Sequence, residues 1–137
     1  MKKILTLAFL SLFIGFSLNA QTPSKAATTV PAEKSKALAK SWTFAGSENF
    51  SLEQAPTEAQ KNDVLMLMTD GRFRWIYNGN PVVGTWTADK SNTMISLTQD
   101  VTNEVFKIKV LHLASDRMKV DYRDKDDVHN ILIYTSK

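Results

Sequence analysis

Two histidines, no cysteine and one dense run of charge, Asp124-Lys125-Asp126-Asp127, are the residues of this 137-residue chain best equipped for chemistry. His112 and His129 fall on separate predicted strands, with no carboxylate at metal-ligand spacing, so no zinc or copper site is expected. The acidic run has the carboxylates of a calcium loop, but it lacks the glycine at the sixth place and the closing glutamate. It reads as a solvated hairpin turn. The absence of cysteine removes disulfides, thiol nucleophiles and thiolate ligands. No Ser-His-acid order, paired-carboxylate motif or glycine-rich phosphate loop stands out. The chain is therefore expected to be no enzyme and to hold no cofactor and no metal.

What remains is the chemistry of binding, and it is concentrated in aromatic side chains. The stretch DGRFRWIYNGNPVVGTW, residues 70 to 86, sets Phe73, Trp75 and Tyr77 on alternate positions between two turn signals, Asp70-Gly71 and Asn78-Gly79. Alternation puts these three rings on one face of a strand and Arg72 and Arg74 on the other. Trp42, Phe44, Trp86, Phe106, Tyr122 and Tyr134 fall on the matching faces of other predicted strands. The candidate ligand-binding set is thus Trp42, Phe44, Phe73, Trp75, Tyr77, Trp86, Phe106, Tyr122 and Tyr134. Each of these, if buried, contributes on the order of 1.5–3 kcal/mol. Two outcomes are open: the rings fill the interior as core, or some of them line a cavity. In the second case Tyr77 and Tyr134 supply sparse hydroxyls of the kind that orient a ligand.

The elements that position these rings are strands. From Ser41 onward, β-branched and aromatic residues alternate with polar ones, and turn residues recur about every ten positions. Eight strands are predicted, at 41–49, 63–69, 72–78, 82–88, 93–99, 104–113, 117–123 and 128–135. Their short joints force sequence neighbours to pair antiparallel. The phase slips after Val110, where Leu111 and Leu113 are also apolar, and this predicts a bulge or bend. Segments 63–69 and 128–135 are apolar on both faces, so part of their outer surface needs cover from the leader or a partner. The long connection from Phe50 to Asn62 is expected to be a mobile lid or spacer. Eight antiparallel strands, each with one apolar face, lose their open edges by curling into a closed up-and-down barrel. A barrel of that size is either filled by side chains or holds one small ligand.

Residues 1–20, MKKILTLAFLSLFIGFSLNA, have a charged start, an apolar middle and a small residue at the end. This is the order of a secretory signal cleaved near Ala20, which predicts a periplasmic or secreted protein with no transmembrane segment after cleavage. Residues 21–40 are rich in Ala, Ser, Thr, Lys and Pro and read as a flexible basic leader, with helical turns available behind Pro31. The sequence pI of about 9.2 belongs to these segments. From Ser41 onward there are 11 Lys plus Arg against 13 Asp plus Glu. The barrel is thus slightly acidic, which argues against a nucleic-acid surface. Asn49-Phe50-Ser51 fits the glycosylation pattern, but the bacterial character of the signal argues against its use.

The first strand with its early Trp (Lys40-Ser41-Trp42), the Asp70-Gly71-Arg72-Phe73 hairpin, the Gly84-Thr85-Trp86 strand pairing back on it and the even meander that follows resemble a small bacterial lipocalin-like domain of the calycin type. The resemblance covers roughly residues 40 to 134. It implies a barrel closed at one end and open at the other, with apolar ligands inside. Domain organisation is then a signal at 1–20, a leader at 21–40 and a lipocalin-like barrel at 41–137. The expected function is to bind a small hydrophobic or amphipathic molecule within the barrel. The competing expectation is a plugged barrel acting as an interaction or structural module for another envelope protein.

Overall fold

The computed structural model describes residues 36–137; the expected signal sequence and the leader up to residue 35 lie outside the described residues. Residues 36–38 are helical and lead into β1 (Ser41–Asn49). The chain continues through β2 (Leu52–Gln54), a 3-10 turn (Glu58–Gln60), β3 (Val64–Leu67), β4 (Arg72–Tyr77), β5 (Asn80–Ala88), β6 (Met94–Gln99), β7 (Val105–Leu113), β8 (Arg117–Arg123) and β9 (His129–Thr135). From β3 to β9 each strand pairs antiparallel with the next, β1 pairs with β3, and β9 returns to pair with β1. Eight strands thus close an all-β antiparallel barrel, as their alternation predicts. This architecture is consistent with a calycin-like fold.

The alternation of buried positions follows the pleat. Leu65 and Leu67 on β3, Phe73 and Trp75 on β4, Ile95 and Leu97 on β6, Met118, Val120 and Tyr122 on β8, and Leu132 and Tyr134 on β9 all join one interior cluster. Arg72 stays outside and forms a two-pronged pair with Asp100, at 3.0 and 2.6 Å. The predicted slip after Val110 is a register shift between Val110 and His112. It leaves Leu111 exposed while Leu113 packs on the core.

Where the sequence predicts one long loop, the chain builds a ninth strand. β2 pairs with Ser47–Asn49 on the side of β1 that β3 vacates beyond Thr43. Three residues, Leu52-Glu53-Gln54, are too few for alternation to reveal a strand. A second register shift, between Phe44 and Gly46, bends β1 and permits this pairing. Gly46 has φ +149°, and a Cβ there would lie only 2.3 Å from the Gln54 carbonyl oxygen. Glycine is needed for the two backbones to approach so closely. The same reason explains Gly84 in the VVGTW run, where a Cβ would meet the Thr98 carbonyl and the ring of Phe73.

The outer apolar face of β9 is buried at Ile133, which is 2% exposed and lies outside the interior cluster. Ile133 pairs with Lys119 on one side and Gly46 on the other. The β1–β2 hairpin is tied to β8, beyond β9, by Glu48–Lys119 and Glu53–Arg117 pairs, both at 2.6 Å. Among the described residues, the elements beside this face of β9 are β8 and the β1–β2 hairpin.

Candidate functional site

The two ends of the barrel differ in how the chain finishes them. At the end where β1 begins, Leu38 is fully buried within the core cluster, although composition assigns residues 21–40 to a leader. The Trp42 indole N–H donates to the Leu38 carbonyl at 2.9 Å, and the Trp86 indole N–H donates to the Met68 carbonyl at 2.8 Å. The Lys40 ammonium lies 5.0 Å from the centre of the Trp42 ring and donates to the Ser115 carbonyl. Every indole N–H here has a main-chain acceptor, so the rings are fixed in a dry plug. This end is closed.

At the opposite end the interior face carries two unlike walls. On β4, β7 and β8 it is aromatic to the rim. Trp75 stacks on Tyr77 at 5.1 Å and meets Tyr122 and Phe106 edge-on at 5.0 and 5.8 Å; Tyr77 and Tyr122 are 5.6 Å apart. Tyr77 and Phe106 keep part of their surface exposed. Deeper, the Trp75 indole N–H donates to the Tyr134 hydroxyl at 3.1 Å, and Tyr134 meets Phe44 edge-on at 5.7 Å. Burial drives the Tyr134 phenol far above its ordinary range, and the Trp75 hydrogen bond offsets only part of that. Tyr77 and Tyr122 are also raised, chiefly by burial, with the Asn78 side chain opposing the shift at Tyr77.

On β1 and β9 the interior face changes from apolar to amide as it nears the rim. Along β9 the inward series runs Tyr134, Leu132, Asn130, and Asn130 sits opposite Tyr122. Along β1 it runs Trp42 and Phe44, then, past the bulge, Ser47 opposite Leu132 and Asn49 beyond it. Asn49, Gln54, Gln60, Asn78 and Asn130 border a cleft of about 380 Å³, with Tyr77 on its aromatic side. This is at the small end of the range for ligand pockets, roughly 300–1,000 Å³.

A buried carboxylate holds the rim in shape. Asp63 is 2% exposed and accepts the main-chain N–H groups of Asn78 and Gly79 at 2.6 and 3.0 Å. These two residues form the β4–β5 turn at φ +50° and +76°, the geometry that Asn-Gly favours in a two-residue hairpin. Gln60 accepts from the Thr57 N–H through its side-chain oxygen and donates to the Asn78 side chain at 2.8 Å. The segment between β1 and β3, expected to be a mobile lid or a spacer, is fastened at β2, at Gln60 and at Asp63.

No protein-family model matches this chain, and no curated protein matches it. The nine aromatic residues singled out in the sequence divide among three places. Trp75, Tyr77, Phe106 and Tyr122 meet near the mouth. Phe44 and Tyr134 pack in the middle, while Trp42 and Trp86 belong to the closed end, with Phe73 buried against Gly84. Sequence reasoning missed Asp63, Gln60, Gln54, Ser47, Asn49 and Asn130. Polar residues at the end of a strand look like turn residues, and the slip in β1 that turns Ser47 and Asn49 inward has no signature in the pattern.

Of the other candidates, His112 is exposed on β7 and His129 lies 2.8 Å from Asp121 on the neighbouring strand. Asp124 caps its own hairpin by accepting the N–H groups of Asp126 and Val128, and the latter holds its carboxyl below the usual range. Among the described residues no group of three His, Asp or Glu side chains is placed to hold a metal ion, and no helix is long and apolar enough to cross a membrane.

Proposed function

We propose that this chain is an exported, lipocalin-like binding protein that holds a small amphipathic molecule at the mouth of its barrel, not deep inside it. The observation that carries this reading is the pairing of walls at one end. Tyr77, which packs edge-on against Tyr122 at the rim of the aromatic wall, borders one cleft together with the amide-bearing Asn49, Gln54 and Asn130, while Leu38 is buried at the other end. Direct ring-on-ring packing around Trp75 accounts for the interior, so the apolar part of a ligand has the rim aromatics as its available surface. Burial of that part against the rings drives binding, and the polar part stays toward the amides. Nothing in this mechanism calls for a catalytic group.

Titration with short-chain amphiphiles tests the reading, followed by tryptophan fluorescence and melting temperature. A saturable rise in melting temperature is expected, because a ligand that prefers the folded state stabilises it. Tyr77→Ala should abolish the rise. A flat response across a broad panel removes the proposal.

The second reading, an envelope interaction module, is favoured by Phe50. This residue is 93% exposed at the tip of the β1–β2 hairpin with φ +49°, next to Leu52 at 69% exposure. A bulky residue in the left-handed region costs roughly 1–2 kcal/mol, and its exposed ring returns nothing in the isolated chain. An apolar pocket on a partner protein would recover both. That reading predicts that Phe50→Asn leaves amphiphile binding intact while abolishing the partner contact.

A further inference from the structure

The cleft at the mouth is polar without being charged, and this bears on what it takes. Its Glu48 carboxylate is occupied by Lys119 at 2.6 Å, and the His129 ring is held by Asp121 at 2.8 Å. What remains toward the cleft are groups that both donate and accept. Among the described residues the side-chain amides of Asn49 and Gln54 have no protein hydrogen-bond partner, and Asn130 uses its amide nitrogen on Asp124 and the Val128 carbonyl, which leaves its oxygen. The Asn78 side-chain oxygen accepts from the Gln60 amide at 2.8 Å. A carboxylate or phosphate ligand needs a free cation or a cluster of N–H groups. A carboxamide instead offers a donor and an acceptor side by side, which matches a hydroxyl that also does both. Beside these amides stands Tyr77, an aromatic residue that keeps part of its surface exposed at the cleft and so offers apolar contact to C–H groups.

We infer that the head group bound in this cleft is an uncharged polyhydroxylated ring of the sugar type, attached to an apolar tail that lies along the aromatic wall. The inference rests on the proposed ligand site at the mouth and names its chemistry. The acidic turn Asp124–Asp127, near Tyr77, supplies the rival outcome, a cationic head.

Three amphiphiles with one eight-carbon tail and different heads separate the outcomes: octyl glucoside, octyltrimethylammonium and octyl sulfate, each titrated below its micelle-forming concentration. Octyl glucoside is expected to raise the melting temperature saturably, with half-saturation at about a tenth of the concentration of the other two, the ratio that one to two extra hydrogen bonds give. Asn49→Ala and Gln54→Ala should each weaken the glucoside by about three- to tenfold. Both side chains are exposed, so the melting temperature of the free protein should stay where it is. If the ammonium compound binds best, or all three bind alike, the head-group inference is overturned while the mouth remains a binding site. If none binds, the reading of the mouth falls with it.

Discussion

At the closed end of the barrel Trp42 and Trp86 spend their indole N–H groups on main-chain carbonyls and Leu38 fills the space between the strands. At the mouth, Tyr77 and Phe106 keep exposed surface and the interior face of β1 and β9 ends in amides. The same strands therefore run from a dry plug to a wet rim, and the switch falls within a few residues: Phe44 to Ser47 on β1, Leu132 to Asn130 on β9. A barrel that needed only stability would be apolar at both ends of these strands. Finishing one end with hydrogen-bonding groups and partly exposed rings lowers local stability where a binding surface is wanted.

The largest expected effect lies where the two regions meet. Trp75→Ala removes the ring that touches Tyr77, Phe106 and Tyr122 and the donor to Tyr134, and it should cost about 3–5 kcal/mol in chemical unfolding. Leu38→Ala should cost about 2–4 kcal/mol, a size that a residue in a free leader does not reach. Equal stability of this variant and the parent protein would erase the closed end as described. Asp63→Ala removes the acceptor of two part-buried N–H donors at the β4–β5 turn, for a loss of about 1–3 kcal/mol, and it should also loosen hydrogen exchange across residues 57–64 and 78–79. Phe50→Asn should leave stability unchanged or raise it by up to about 1 kcal/mol, since asparagine suits a left-handed turn position better than phenylalanine.

Alkaline titration sharpens the same contrast. All three tyrosines have phenols raised above their ordinary value, so the folded chain holds protons that the unfolded chain gives up above about pH 10. Their contribution to stability is complete below that pH and is lost as pH rises beyond it. Phenolate absorbance should therefore develop together with unfolding, with Tyr134 last. On the acid side, Asp89, Asp100 and Asp124 are held below the usual carboxylate range, first by Thr93, Arg72 and the Val128 N–H respectively. Their contribution is present above about pH 4 and fades as pH falls below it.

Strand number, order and inward faces were legible because each apolar face repeats with period two and each turn carries its own chemistry, as Asn78-Gly79 does. The bulge in β7 was legible too, since adjacent apolar residues at Val110 and Leu111 break the period. The bulge in β1 was not, because Ala45 and Gly46 suit either face of a strand and carry no pattern. That one slip decides which side chains past Phe44 face the interior. For the same reason the aromatic half of the candidate site was visible in the sequence and the amide half was not. Asp63 escaped notice because its partners are main-chain N–H groups fifteen and sixteen residues away, brought to it only by the β3–β4 pairing.

Amide chemical-shift mapping with octyl glucoside puts the contrast between the two ends to its most direct test. Shifts confined to residues 47–60, 77–79, 104–106, 122 and 128–132, with the amides of Leu38, Trp42 and Trp86 unmoved, are the predicted result. Shifts centred on Phe73, Trp86 and Leu97, or spread evenly through both ends, would contradict it.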